Sequence, residues 1–221
     1  MPISQSRVGP LANYQDGATP DQLAGKSGEL VVTDLHGKWY EHAVRGNVYY
    51  VSTVAAGLAI PISTTTAPVV MLWNPKGSGK NAELVRYSAA YVSSTSTATS
   101  IGLGGTTVAG SETATAAAIT AFNQSVFGTN LFSAIFGGPN NSVMKSSANG
   151  TNTVTASTVW LATMAGESAL IATTAMNPYS VNYDFEGTFI LAPGTAVWVQ
   201  GAAASGALLA QTLLWAEVPV L

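Results

Sequence analysis

The sequence predicts an all-β fold, a jelly roll or β-sandwich preceded by an extended N-terminal arm. From Gly28 onward, short runs rich in Val, Ile, Thr and aromatic residues alternate with clusters of Gly, Pro, Asn and Asp. That punctuation marks many short strands, and many short strands imply packed sheets. Before Gly28, the prolines at 2, 10 and 20 and the glycines at 9, 17 and 25 leave no apolar period to fold on. The chain is 47% hydrophobic and 9% charged, but its 22 Gly and 10 Pro break every stretch that would make a membrane helix.

Residues 1–27 therefore form the arm, which gains order only against another surface. Residues 28–221 form the β domain. Its first elements are GELVVT (28–33), a turn over Asp34 to Lys38, and WYEHAVR (39–45), read together as a hairpin. Gly46 and Asn47 turn the chain into VYYVSTV (48–54), and PVVMLW (68–73) ends in a turn beginning Asn74-Pro75. AELVRYSAAYV (82–92) alternates, with Val85, Tyr87, Ala89 and Tyr91 on one face and Arg86 and Ser88 on the other.

The Ala-rich run Glu112 to Phe122 reads as a helix capped by Ser111, and equally as a Thr/Ala strand. Thr151 to Trp160 is dense in β-branched residues, which favour pleated structure. Residues 187–192, the turn at Pro193-Gly194 and residues 195–200 read as another hairpin. In the closing strand, 208–218, Leu209, Gln211, Leu213, Trp215 and Glu217 share one face. No longer internal period suggests a solenoid or propeller.

Composition narrows function by exclusion. A net charge of −3 with only eight Lys and Arg, seven of them before Tyr87, speaks against nucleic acid as a partner. The absence of cysteine excludes disulfides, thiolate metal sites and a cysteine nucleophile. The opening MPISQSRVGP has no apolar core of a signal peptide, so the expectation is a protein made in the cytosol, with no membrane partner. From Ser88 on, the charged residues are Glu112, Lys145, Glu167, Asp184, Glu186 and Glu217 alone, and more than half of the positions are Ala, Ser, Thr or Gly. So little charge suits a surface that packs against copies of itself or a larger body, because an unpaired buried charge is costly.

Several motifs invite chemistry, and in each the ordinary reading prevails. Asn74-Pro-Lys-Gly-Ser-Gly-Lys-Asn81 imitates a phosphate-binding loop but lacks its first glycine and the metal-holding hydroxyl after the lysine. A tight turn with Gly77 and Gly79 at positive φ accounts for it. His36 and His42, with Asp34 and Glu41, fall short of a convincing zinc set. Ser78 with either histidine makes a triad on paper only, without a nucleophile elbow. Asp184 and Glu186 would share one strand face, whereas glycosidase carboxylates face each other across a cleft and calcium takes six or more oxygens. No catalytic, cofactor-binding or metal-ligating residue is assigned, and no cofactor is expected.

Three stretches together resemble virion surface proteins of tailed bacteriophages. They are Gly28-Glu-Leu-Val-Val-Thr-Asp-Leu-His-Gly-Lys-Trp-Tyr-Glu41, Trp73-Asn-Pro-Lys-Gly-Ser-Gly-Lys-Asn-Ala-Glu-Leu84, and Leu191-Ala-Pro-Gly-Thr-Ala-Val-Trp-Val-Gln200 with Trp215-Ala-Glu-Val-Pro219. The resemblance implies a jelly-roll subunit, commonly a trimer, on the outside of the virion, with no catalytic residues. The expected function is capsid decoration (cement): a homotrimer on the major capsid protein, stabilising the head shell after assembly in the bacterial cytoplasm. The alternative is a head fibre or tail-associated adhesin that recognises a host glycan. The absence of a heptad or collagen-like stalk favours the cement reading.

Overall fold

The computed structural model describes residues 6–7, 22–23, 38–39, 42–43, 47–62, 68–106, 122–123, 142–148, 159–167 and 180–220. The chain divides into two compact units, Met1–Tyr40 and Glu41–Leu221. In the first, β1 (Ser6–Arg7) pairs in parallel with β2 (Gln22–Leu23), and Lys38 Nζ lies 5.3 Å from the centre of the Trp39 ring. The rest of the arm and the strand expected at 28–33 lie outside the described residues. Within the expected strand 39–45, His42 and Ala43 instead have helical backbone.

Beyond that helical turn, the described part of the second unit is all-β, built from two antiparallel sheets. One has the order β10-β7-β13-β5-β9, formed by β5 (Val70–Asn74), β7 (Thr99–Thr106), β9 (Lys145–Ala148), β10 (Val159–Glu167) and β13 (Thr195–Gly201). The other has the order β11-β6-β14-β3-β8, formed by β3 (Val48–Ser52), β6 (Lys80–Ser93), β8 (Phe122–Asn123), β11 (Ser180–Asp184) and β14 (Leu208–Pro219). Two short strands complete it: β4 (Leu58–Ala59) pairs with β14, and β12 (Ile190–Leu191) pairs with β6. Phe122 therefore lies in a strand, while the rest of the proposed helix lies outside the described residues, as do positions 151–158.

Both sheets contribute to one apolar core. Val51, Leu84, Tyr87, Leu213 and Trp215 enter it from the larger sheet, and Val70, Leu72, Ile101, Leu103, Val197 and Val199 from the smaller. The alternation in β14 explains its central place, since Leu209, Leu213 and Trp215 are all buried on one face. The Trp215 ring stacks on Tyr49 with centroids 6.1 Å apart. Each large side chain so buried contributes about 1.5–3 kcal/mol.

β6 shows the alternation expected of it, with one phase change. Leu84 pairs with Trp215 and Arg86 with Leu214, leaving Val85 as a bulge. The bulge lets Leu84 and Tyr87 both face the core, whereas strict alternation allows only one of them. Across the bulge from β11 and β12, the chain makes an excursion in which Glu186 and Gly187 both have positive φ, at 51° and 78°. The Thr188 amide donates to the Phe185 carbonyl at 2.9 Å to close that turn.

The hairpin expected around Pro193-Gly194 is not one. β12 pairs with β6 in the larger sheet, and β13 pairs with β5 and β7 in the smaller. The turn is a corner carrying the chain from one sheet to the other. The turn at 75–79 does the same between β5 and β6. A turn signature in sequence reports that the chain reverses, not which strand the next segment joins.

Candidate functional site

The turn that imitates a phosphate loop is organised around a buried asparagine. Asn74 is 0% exposed, and its Nδ2 donates to the Lys80 and Leu191 carbonyls, each at 2.8 Å. Ser78 Oγ donates to Asn74 Oδ1 at 2.5 Å, and the Gly194 amide donates to the Asn74 carbonyl at 2.7 Å. Gly77 and Gly79 have φ of 82° and 71°, as the turn reading requires. Asn74 thus ties both sheet-to-sheet corners together, and the Ser78 hydroxyl is spent on that task.

Lys80 has a role that the motif comparison did not suggest. Its Nζ lies 3.1 Å from Oε2 of Glu217, whose side chain is fully buried. The other donors to this carboxylate are Ser142 Oγ and the Val143 amide, the latter at 3.3 Å. The signal was present in the sequence: Glu217 is in phase with Leu209, Leu213 and Trp215 on the inward face of β14, and an acid in an apolar phase is a buried acid needing partners.

The other candidate groups are not brought together. Asp184 pairs with Arg86, at 2.5 Å to Nε and 3.3 Å to Nη2, on the surface. That contact raises the guanidinium pKa above its ordinary value, by hydrogen bonding first and charge second. Glu186 sits in the positive-φ turn, so it does not share a strand face with Asp184 as the two-residue spacing suggested. The His42 carbonyl accepts from the Asn47 amide at 2.8 Å, and His36 lies outside the described residues. Among the described residues, no group of three or more His, Asp or Glu could hold a metal ion. No helix among them is long and apolar enough to cross a membrane.

The most distinctive surface feature is an apolar cavity of about 240 Å³ that opens between the sheets at one end of the second unit. Val159 and Leu161 of β10 and Val197 of β13 line it from one sheet, and Ile190 and Leu191 of β12 from the other. Leu161 reaches it because β7 carries Gly105 opposite, where a Cβ would lie 2.6 Å from Leu161 Cδ1. Next to it, Gly102 leaves room for the Trp160 ring. The glycines of IGLGGT thus serve the bulky side chains of the neighbouring strands. Around the mouth, Val159 is 52%, Leu161 41% and Ile190 62% exposed.

Among the described residues, no titratable side chain lines the cavity, and its polar groups come from Thr106 and Thr195 and the backbone. Such a lining can bury apolar surface of a partner but supplies no acid or base for proton transfer. The chain matches no protein-family model, no curated protein and no solved structure.

Proposed function

We propose that this chain is a structural, non-enzymatic subunit of a bacteriophage virion, a jelly-roll decoration (cement) protein. It self-associates as a trimer on the outside of the head and ties neighbouring copies of the major capsid protein together. The observation that carries this reading is the gathering of exposed Val159, Leu161 and Ile190 around one mouth. These side chains belong to a chain that has six charged residues from Ser88 to its end. Contiguous exposed apolar surface marks an interaction site, and a charge-poor surround favours a permanent interface over a transient one.

Two further considerations support it. The three stretches resembling tailed-phage virion proteins span much of the chain, and two antiparallel sheets sharing one core are the coarser architecture that a jelly roll refines. A cement protein resists internal pressure through many modest contacts that act together, because linked contacts multiply in effect. That mode of action needs a rigid scaffold with sticky edges and no catalytic group.

The test is immunogold labelling of the intact virion, paired with co-sedimentation of the purified chain with capsids lacking it. Label over the head and saturable co-sedimentation are expected. Label confined to the tail, with binding to host cells and none to capsids, would replace the cement reading with the adhesin reading.

A further inference from the structure

We infer that residues 142–148 form a strap, separately releasable from the sandwich and held shut by the buried Glu217 carboxylate. β9 is the outermost strand of its sheet among the described residues, pairing with β5 alone over four positions, Val70↔Ala148 to Trp73↔Lys145. The strap's buried residues are Met144, Ser146 and Ala148, and its large apolar anchors are Met144 and the partly buried Val143. Backbone pairing to one neighbour over four positions, with two large apolar side chains, makes a weak attachment for an edge strand.

Glu217 compensates for that weakness at the strap's leading end. Oε1 accepts from Ser142 Oγ, and Oε2 accepts from the Val143 amide and from Lys80 Nζ. The carboxylate lies on β14 in the other sheet, so the clasp joins the strap to a strand that itself pairs with three others. Ser142 Oγ also accepts from the Met144 amide at 3.1 Å, which fixes the turn into β9. Lys80 is the charged group facing this carboxylate, and it satisfies the charge without reaching the strap. Charge-assisted hydrogen bonds to a fully buried oxygen are strong while complete, and very unfavourable once a partner is lost. The strap's attachment is therefore all-or-none at this point.

What the strap covers gives the clasp its purpose. β9 reads Lys-Ser-Ser-Ala, short, polar and charged, as protected sheet edges are. Under it lies Val-Met-Leu-Trp-Asn of β5, an apolar strand whose outer N–H and C=O groups stand open once β9 lifts. The clasp keeps a benign edge over a hazardous one.

The test is hydrogen–deuterium exchange with mass spectrometry on the full chain, comparing the wild type with Glu217→Gln and Ser142→Ala. Glutamine is nearly isosteric but uncharged, so the bonds from Lys80, Ser142 and the Val143 amide lose their charge assistance. In Glu217→Gln, exchange over 143–148 accelerates by about tenfold or more, while 209–216 at the centre of β14 stays within about twofold of wild type. If Glu217→Gln does not fold, the same two segments are read in Ser142→Ala, which removes one donor from a partly exposed position. Unchanged exchange over 143–148, or equal acceleration in both segments, overturns the inference: the first means the clasp holds nothing, the second that the strap opens only with the whole fold.

Discussion

Gln211 is 1% exposed on the inward face of β14, and its amide is fully employed there. Tyr87 Oη donates to Gln211 Oε1 at 3.1 Å, and Gln211 Nε2 donates to the Leu58 carbonyl at 3.1 Å. The side chain thus holds β4 and β6 to β14 where their backbone pairing is short or displaced. Removing the Tyr87 hydroxyl leaves a buried acceptor unpaired, so Tyr87→Phe should destabilise the fold by about 1–2 kcal/mol. Urea denaturation monitored by Trp fluorescence checks this, and the loss should be smaller in a Gln211→Ala background because the two share one bond. Gly102 makes the opposite kind of demand. A Cβ there would fall within the Trp160 ring and 2.6 Å from the Ala162 carbonyl oxygen. The backbone oxygen cannot swing aside as a side chain does, so Gly102→Ala should cost about 1–3 kcal/mol by overpacking. The same melts report it.

Strands were legible in the sequence where one face is buried and the other is not. β3, β6 and β14 fall on the runs expected from alternation, and the inward face of β14 carries the residues named for it, as that of β6 does from Tyr87 onward. Partners were not legible. Alternation reports which side chains share a face but nothing about which strand lies alongside, so the corner at Pro193-Gly194 was read as a hairpin. The bulge at Val85 was hidden for a similar reason: Val85 is apolar and fits either phase. Asn74 and Ser78 build a corner, and Lys80 serves Glu217. The Arg86–Asp184 pair joins β6 to β11 with both side chains about half exposed, at 51% and 47%. Water and salt screen such a pair, so Asp184→Asn should change stability by less than about 1 kcal/mol. Chemical denaturation in low and molar salt checks it; a larger loss, present only in low salt, would mean the pair anchors the edge strand.

At the scale of the whole molecule, the question is where a charge-poor protein places its sticky surface. Both sheets send apolar side chains into one core, and Trp198 and Met71 form a second buried cluster on the smaller sheet. Among the described residues, exposed Val159, Leu161 and Ile190 meet at the cavity mouth, on β10 and β12, while Val54, Val92 and Val220 are exposed elsewhere. Bulges in β10, between Trp160 and Ala162 and between Thr163 and Ala165, spoil that edge for adding a strand. Association there must therefore run through side chains. Burying Leu161 and Ile190 at an interface would contribute about 1.5–3 kcal/mol each, and placing a carboxylate at either reverses the sign. The double variant Leu161→Asp/Ile190→Asp should then turn a micromolar oligomer into monomer, a shift of several powers of ten in dissociation constant. Its folding stability should fall by less than about 1 kcal/mol, because substitutions at exposed positions cost little. Light scattering with a parallel thermal melt reads both quantities. The wild-type oligomer should also persist in molar salt, since few ions hold it. An oligomer that survives both aspartates associates through some other face, and a wild type that is monomeric at micromolar concentration removes the main support for a cement role.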